Sequence, residues 1–437
     1  MYDAVRRVLA TGGCHIEAFG TPDWNPLSAY IRPGAKVFVL CNFVQHRRTG
    51  ERPLAFAAKC VHGSMVRAIV DFSLLASLPD GVVRVGNAPL QSAEWEAVLR
   101  DTGTSRVLEF YSRQGAAVRG KDLRARIVRH GKLAWPDASM TAQETVSVAL
   151  GSDSFLADFD ASTPDYRVLD YDPRQTEACH SSNQHRYLIN SEVLDSDVIV
   201  VLSKLKTHEK VGLTCGIKAM VGAVSEKHCL AHHRRGSPSH KGDQYPSDSP
   251  LLSAWNTVHE FVCDESEPLA FRRMAHVVDR LCRPCLRRMG HSLGGAWYGN
   301  DTAWRMAVDL ARICTFADRD GHMRTTPQRT VVSFVDGVVG GEGAGPLSPT
   351  PVDTGIVLFS DDLFLGDWLA ARVSGIDVNQ LRFLSRRVQE SLSSFHGDPE
   401  SVEVMFNGIP APMRDISAVH DFALPPGWSP MTESRSG

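Results

Sequence analysis

No stretch of the 437 residues reaches the roughly 18 to 20 consecutive apolar positions that a membrane-crossing helix requires. The first residues, Met1-Tyr-Asp-Ala-Val-Arg-Arg, lack the apolar segment of a secretory signal. Neither charge is in excess. Lys and Arg number 47 against 50 Asp and Glu, and a nucleic-acid partner normally shows as a basic surplus, so none is expected. The ten cysteines form no repeating framework and read as reduced thiols, which makes a cytoplasmic location the expectation. Cys282-Arg-Pro-Cys285 is a lone pair without the second pair or redox context that zinc or disulfide chemistry needs. The C-x-x-C-x-x-C runs that hold iron–sulfur clusters are also missing. No G-x-S-x-G elbow, no Gly-Lys-Ser/Thr phosphate loop and no helix-opening G-x-G-x-x-G occurs. Hydrolysis by a serine nucleophile and hydrolysis of ATP both lack a basis in this chain.

What is there is the alternation of an α/β protein. Residues 35–41 (AKVFVLC) read as a strand, followed by a polar loop with Asn42, His46, Arg47 and Arg48. Residues 60–78 carry a helical apolar period through Met65, Ile69, Val70, Phe72 and Leu75, and 82–86 form a second strand. Strand, helix, strand predicts a parallel pair. Short strands are expected at 106–110, 125–129, 197–202, 329–335 and 355–360, and helices at 304–316 and 365–373. Residues 234–250 read as a long polar loop, and such loops are usually lids, binding loops or linkers. The helical stretch 251–289 interleaves Arg272, Arg273, Arg280, Arg283, Arg287 and Arg288 with Phe, Met, Val and Leu; it reads as a solvated face or as a helix lying on a membrane surface. The expected architecture is α/β, with mostly parallel sheet flanked by helices and two lobes with a lid-like insertion. Its expected parts are an N-terminal α/β domain at 1–235, a polar and basic insertion at 236–300, a C-terminal α/β domain at 301–425 and a disordered tail at 426–437.

The richest stretch is 188–242. A β-branched run at 197–202 is followed by Ser-Lys-Leu-Lys-Thr-His, then by Gly212, Gly216 and Gly222 with Lys218 between them, then by His232, His233, Arg234 and Arg235. Ligands of open α/β sheets bind at strand ends. Lys204, Lys206, His208 and Lys218 delivered there would build a site for an anion, with Arg234 or Arg235 gripping it too; the alternative is a solvated basic loop. A second signal is 335–346 (VDGVVGGEGAGP), where five glycines after Asp336 predict a loop offering backbone N–H groups. Asp336 and Glu342 within it would bind a divalent ion or take a proton. Asp301 or Thr302 caps a helix in 298–305 (YGNDTAWR), and Asp367 stands at another helix start.

These segments, with 366–377 (GDWLAARVSGID), resemble the signature of a family known as domain of unknown function 362. Ala219 stands where the family usually has asparagine, and Asn87 stands where an aspartate is expected. The resemblance brings Asn300, Asp301 and Arg305 to the site. The spacing of His208 and Lys218 is similar, over one short segment, to lactate racemase catalytic proteins. In those a histidine acts on substrate and a lysine holds a nickel-pincer nucleotide; here the fold is expected to transfer and that cofactor is not.

The expected function is acid–base chemistry on an anionic, phosphate- or carboxylate-bearing small molecule, racemase- or isomerase-like by resemblance and in a biosynthetic pathway. His208 would be the acid–base residue. Lys218 would be a cofactor anchor or electrostatic partner: it carries a covalent cofactor, pairs with Asp336 or Glu342, or reaches solvent with only its stem buried. Lys204, Lys206, Asn42, His232, His233, Arg234 and Arg235 would bind substrate. Metal-assisted group transfer and a non-catalytic ligand-binding or scaffold protein are the alternatives, and a homo-oligomer is left open.

Overall fold

In a computed structural model the described residues are 1–128, 136–137, 144–159 and 165–428. The expected strand at 125–129 and the expected tail therefore extend outside the described residues. Seven strands form the central sheet: β1 (Lys36–Cys41), β2 (Val82–Asn87), β3 (Val118–Asp122), β4 (Val198–His208), β5 (Gly212–Thr214), β6 (Thr330–Glu342) and β7 (Thr350–Ser360). The order is β7-β6-β4-β1-β2-β3. From β6 to β3 all neighbours are parallel; β7 joins β6 antiparallel, and β5 folds back antiparallel on β4.

Both faces of this sheet are covered, which is why its strands are apolar throughout. Ile199 and Val201 of β4 belong to one core, with α7 (Ala303–Phe316) and α8 (Leu363–Val373) packed on them. Val198, Val200 and Leu202 alternate to the other face, against α1 (Tyr2–Thr11), α2 (Gly63–Ser77), α3 (Trp95–Thr102) and α4 (Thr104–Arg113). The chain runs from β1 outward to β3, then returns to place β4 on the opposite side of β1. A crevice opens at the carboxyl ends of strands where the winding reverses in this way.

Several expectations are corrected. Residues 106–110 are helical, lying within α4, where Val107 and Tyr111 are buried four apart and Glu109 and Phe110 between them are exposed. The stretch 251–289 is two helices, α5 (Pro250–Cys263) and α6 (Leu269–Arg288), packed against each other. Strand β4 continues six residues past Leu202, and β6 runs on to Glu342, so neither the Lys-Thr-His segment nor most of the glycine-rich segment is a loop. Strands from the expected N- and C-terminal domains share this one sheet. Among the described residues no helix is long and apolar enough to cross a membrane.

Candidate active site

The crevice holds a cavity of about 320 Å³. The period of two along a strand puts Lys204, Lys206 and His208 on one face at the end of β4, successively nearer the opening. Lys204 is deepest and pairs with Asp336 at 3.1 Å, both side chains nearly inaccessible. The Lys206 ammonium lines the cavity and donates to Asn42 Oδ1 (2.6 Å), just beyond β1, and to the Lys59 carbonyl (2.5 Å). Burial lowers Lys206 to about 7. Lys59 is itself fully buried and pairs with Glu51 at 2.8 Å, so the floor beneath Lys206 is a fixed polar assembly.

Lys218 enters from the turn of helix Gly216–Ala219. That turn is set by Asp367 of α8, whose carboxylate accepts the N–H groups of Gly216 (2.6 Å) and Ile217 (3.0 Å). Glycine at 216 lets the turn pack closely, since a Cβ there would lie 2.8 Å from Leu363 Cδ2 and 3.1 Å from Asp367 Oδ1. Burial raises Asp367 to about 7. The Lys218 ammonium has no hydrogen bond or ion pair among the described residues, although the residue is only 8 % exposed. Desolvation, then the neighbouring Lys210 and Lys227, lower it to about 7. Lys227 donates to the Val221 carbonyl (3.2 Å), and burial brings it to about 7 as well; Lys210 falls to about 8 for the same reason. A buried ammonium without a counter-ion is costly. Here Lys206, Lys210, Lys218 and Lys227 converge on one cavity with the acidic groups of Asp170 and Glu209 at its wall.

Two histidines complete it. His208 Nδ1 accepts the backbone N–H of Lys210 (3.1 Å), which leaves the ring proton of neutral His208 on Nε2. His232 has the opposite tautomer: its Nδ1 lies 2.8 Å from the Leu230 carbonyl, which only accepts, so Nδ1 carries the proton and Nε2 keeps its lone pair. Neither Nε2 has a protein hydrogen-bond partner among the described residues. Burial, reinforced by the lysine cations, holds both rings well below the ordinary histidine range and so neutral.

The model of a family described as domain of unknown function (DUF362) matches residues 150–372, from before β4 into α8. This chain belongs to that family. No curated protein matches. Among solved structures the chain is similar to a protein from Thermotoga maritima, at 11 % identity over 82 % of this chain and 55 % of that one, TM-score 0.31. It is also similar to the lactate racemase apoprotein from Thermoanaerobacterium thermosaccharolyticum, at 11 % identity over 82 % and 51 %, TM-score 0.33. The chain thus spans about half the length of each of these structures.

Of the remaining family motifs, 335–346 reaches the cavity only at Pro346, and 298–305 and 366–377 lie around it without lining it. Asp336 accepts the N–H of His62 (3.1 Å) besides pairing with Lys204, so its position already holds a cation and does not suit a metal ion. Glu342 accepts the N–H of Ala423 (2.9 Å), and no cluster of three or more His, Cys, Asp or Glu side chains fit for a metal occurs among the described residues. The expected pairing of Lys218 with either carboxylate is corrected: Asp336 is taken by Lys204, and Glu342 faces Ala423 and His420.

The glycines of 335–346 were expected to offer N–H groups to a ligand. Two of them serve close packing: a Cβ on Gly345 would lie 1.9 Å from the Thr207 carbonyl, and one on Gly341 would lie 2.8 Å from the Ala58 carbonyl.

Arg234 and Arg235 line a different cavity from Lys206 and His208, so the expected joint grip on one anion is not formed. Arg234 stacks over Phe159 (3.7 Å to the ring centre) and lies 3.6 Å from Asp243; Arg235 lies 3.4 Å from Glu260. His233 pairs in a short ladder with Arg167, and its side chain is buried away from the cavity that His232 lines.

In YGNDTAWR the capping group is Asn300, neither Asp301 nor Thr302. Its Oδ1 accepts from Thr302 (3.0 Å) and Ala303 (2.9 Å), while its amide donates to the His232 carbonyl (2.9 Å). Asp301 and Arg305 pair at 3.1 Å, and Arg305 donates to the Phe155 carbonyl. The motif therefore anchors the start of α7 to the backbone of His232. Sequence reasoning passed over Lys210 and Lys227; the signal for Lys227 was a charge two residues before a buried cysteine, and Lys210 gave none beyond its neighbour His208.

Proposed function

We propose that this protein is an enzyme that moves a proton on the carbon next to the carboxylate of a small anionic acid. The observation that carries the reading is the pair of neutral histidines with opposite tautomers, both with Nε2 unengaged, beside lysines without counter-ions. In this scheme Lys206 and Lys218 hold the carboxylate and stabilise the negative charge that develops when the adjacent C–H is broken. His232 Nε2 takes that proton and returns it, on the same or a neighbouring atom. His208 acts as a neutral imidazole, its Nε2–H donating to the substrate oxygen that becomes anionic. The arriving anion offsets the lysine cations that depress His232, raising its basicity when substrate is bound. The family label names no reaction, and isomerisation or epimerisation is the class that such a proton transfer yields.

The test is incorporation of solvent deuterium. The protein is incubated in D2O with a panel of 2-hydroxy, 2-oxo and dicarboxylic acids, and exchange at carbon is followed by proton NMR. Exchange should fall by roughly a hundredfold or more in His232→Asn, the range for loss of a general base. An acid that binds tightly to the wild-type cavity yet never exchanges would make the protein a binder and defeat the proposal.

A further inference from the structure

Helix α6 is turned inside out for an ordinary surface helix. Its inner face packs on α5 through Arg272, Asp279 and Leu286, with Asp279 accepting from Trp255 Nε1 (2.9 Å) and pairing with Arg283 (2.9 Å). Its outer face is apolar. Phe271, Met274, Val278 and Leu281 follow one another at helical spacing and are exposed, Met274 and Leu281 to 68 % each, with Val277 beside them. A stripe of large apolar side chains on a charged helix marks an interaction surface rather than scattered exposed residues.

The charge around the stripe identifies the occupant. Arg273, Arg280 and Arg287 recur every seven residues along one flank, and Arg288 closes the end; all four are exposed. Arg273, Arg280 and Arg288 have no ion pair among the described residues. Six arginines stand against the single Asp279 in this helix, and Asp279 faces inward. A second copy docked face to face would bring two unneutralised arginine rows together. An apolar stripe with a cationic flank lying parallel to it is instead the arrangement of a helix that rests in the plane of a negatively charged bilayer surface. We infer that α6 docks this protein on anionic lipid, with Phe271, Met274, Val278 and Leu281 entering the headgroup boundary and the arginine row meeting the lipid phosphates. Arg287, at the end of that flank, also reaches the wall of the candidate active site, so docking would set that cavity just behind the lipid surface. The inference stands independently of the reaction proposed above.

The experiment is sedimentation of the full-length protein with vesicles of phosphatidylcholine alone and of phosphatidylcholine with about a third phosphatidylglycerol. Binding should appear with the anionic vesicles, weaken as salt is raised, and be near background with the zwitterionic ones. Met274→Glu with Leu281→Glu should abolish it; both sites are solvent-facing, so unchanged melting will show that the fold is kept. Arg273→Gln with Arg280→Gln should lower the partition roughly 25-fold, at about fivefold per cation. Three results would each overturn the inference: no binding to either vesicle, equal binding to both, or a solution dimer that dissociates in Met274→Glu with Leu281→Glu.

Discussion

Replacing Lys218 by methionine removes a charge that the fold buries without a partner, and the structure sets the size and the pH dependence of the effect. A fall from 10.5 to about 7 on folding corresponds to roughly 5 kcal/mol of unfavourable burial of the ammonium. Below pH 7 the lysine is charged in both folded and unfolded chains, and that cost is present in full. Between pH 7 and 10.5 the folded protein sheds the proton that the unfolded chain keeps, so stability rises with pH through this window. Lys218→Met should therefore stabilise the ligand-free protein at pH 6.5 by a sizeable part of roughly 5 kcal/mol, and its advantage should shrink steadily towards pH 10. Lys206 and Lys227 (about 7) and Lys210 (about 8) titrate in the same window, so the quantity to read is the difference between wild type and variant. Urea unfolding at pH 6.5, 8 and 9, with and without oxalate or inorganic phosphate, measures it. The anion should stabilise the wild type and draw in a proton at pH 8 to 9, seen calorimetrically in buffers of different ionisation enthalpy. The variant should lose most of both effects. A Lys218→Met protein that is no more stable than wild type at pH 6.5, or that keeps its response to the anion, would refute the reasoning.

Asp336→Asn strands the Lys204 ammonium, which is 2 % exposed, and should cost about 3 to 5 kcal/mol in urea unfolding; the double change Lys204→Met with Asp336→Leu should recover most of it. Gly345→Ala places a Cβ 1.9 Å from the Thr207 carbonyl, one residue before His208. It should cost about 3 kcal/mol or more and abolish anion stabilisation, whereas Gly355→Ala, where the Cβ meets open space and only the left-handed backbone (φ 65°) is strained, should cost about 1 kcal/mol and change the anion response little.

The α/β class and the strand, helix, strand unit of β1, α2 and β2 were legible, because β-branched runs and a helical apolar period are local signals. The ends of β4 and β6 were not. Strand β4 looks finished at Leu202 since the next residues alternate charge with apolar groups, a pattern usual for solvent-facing chain. Here the charged side of the alternation is buried, and its cost is met by Asp336, Asn42 and the Lys59 carbonyl, partners 132, 164 and 147 positions away in sequence. No local pattern announces such partners. The glycines of 335–346 misled for a related reason: Gly341 and Gly345 let the backbone of Ala58 and Thr207 approach, a demand imposed by segments distant in sequence. Adjacency misled at 232–235, where an extended backbone sends His232 to the cavity, while His233 is buried elsewhere and Arg234 and Arg235 line a second cavity.

The family motifs thus divide by what each side chain faces. Lys206, His208, Lys218 and His232 open on the cavity. Asp367 holds the Lys218 turn, Asn300 holds the His232 backbone, Gly345 admits the strand that carries His208, and Asp336 neutralises the lysine beneath. The groups facing the cavity are thus supported from other parts of the chain: Lys218 from α8, His232 from just before α7, His208 from just beyond β6, and Lys206 by Asn42 and the Lys59 carbonyl. Electrostatics gives a reason for so much support. Four lysines around about 320 Å³ repel one another, and the desolvated cavity strengthens that repulsion relative to water. Left to relax, the side chains would swing apart or admit solvent. Holding Lys206 and the Lys218 turn in place keeps these cations convergent in the ligand-free protein, so an entering anion meets partners already placed and little reorganisation opposes its binding.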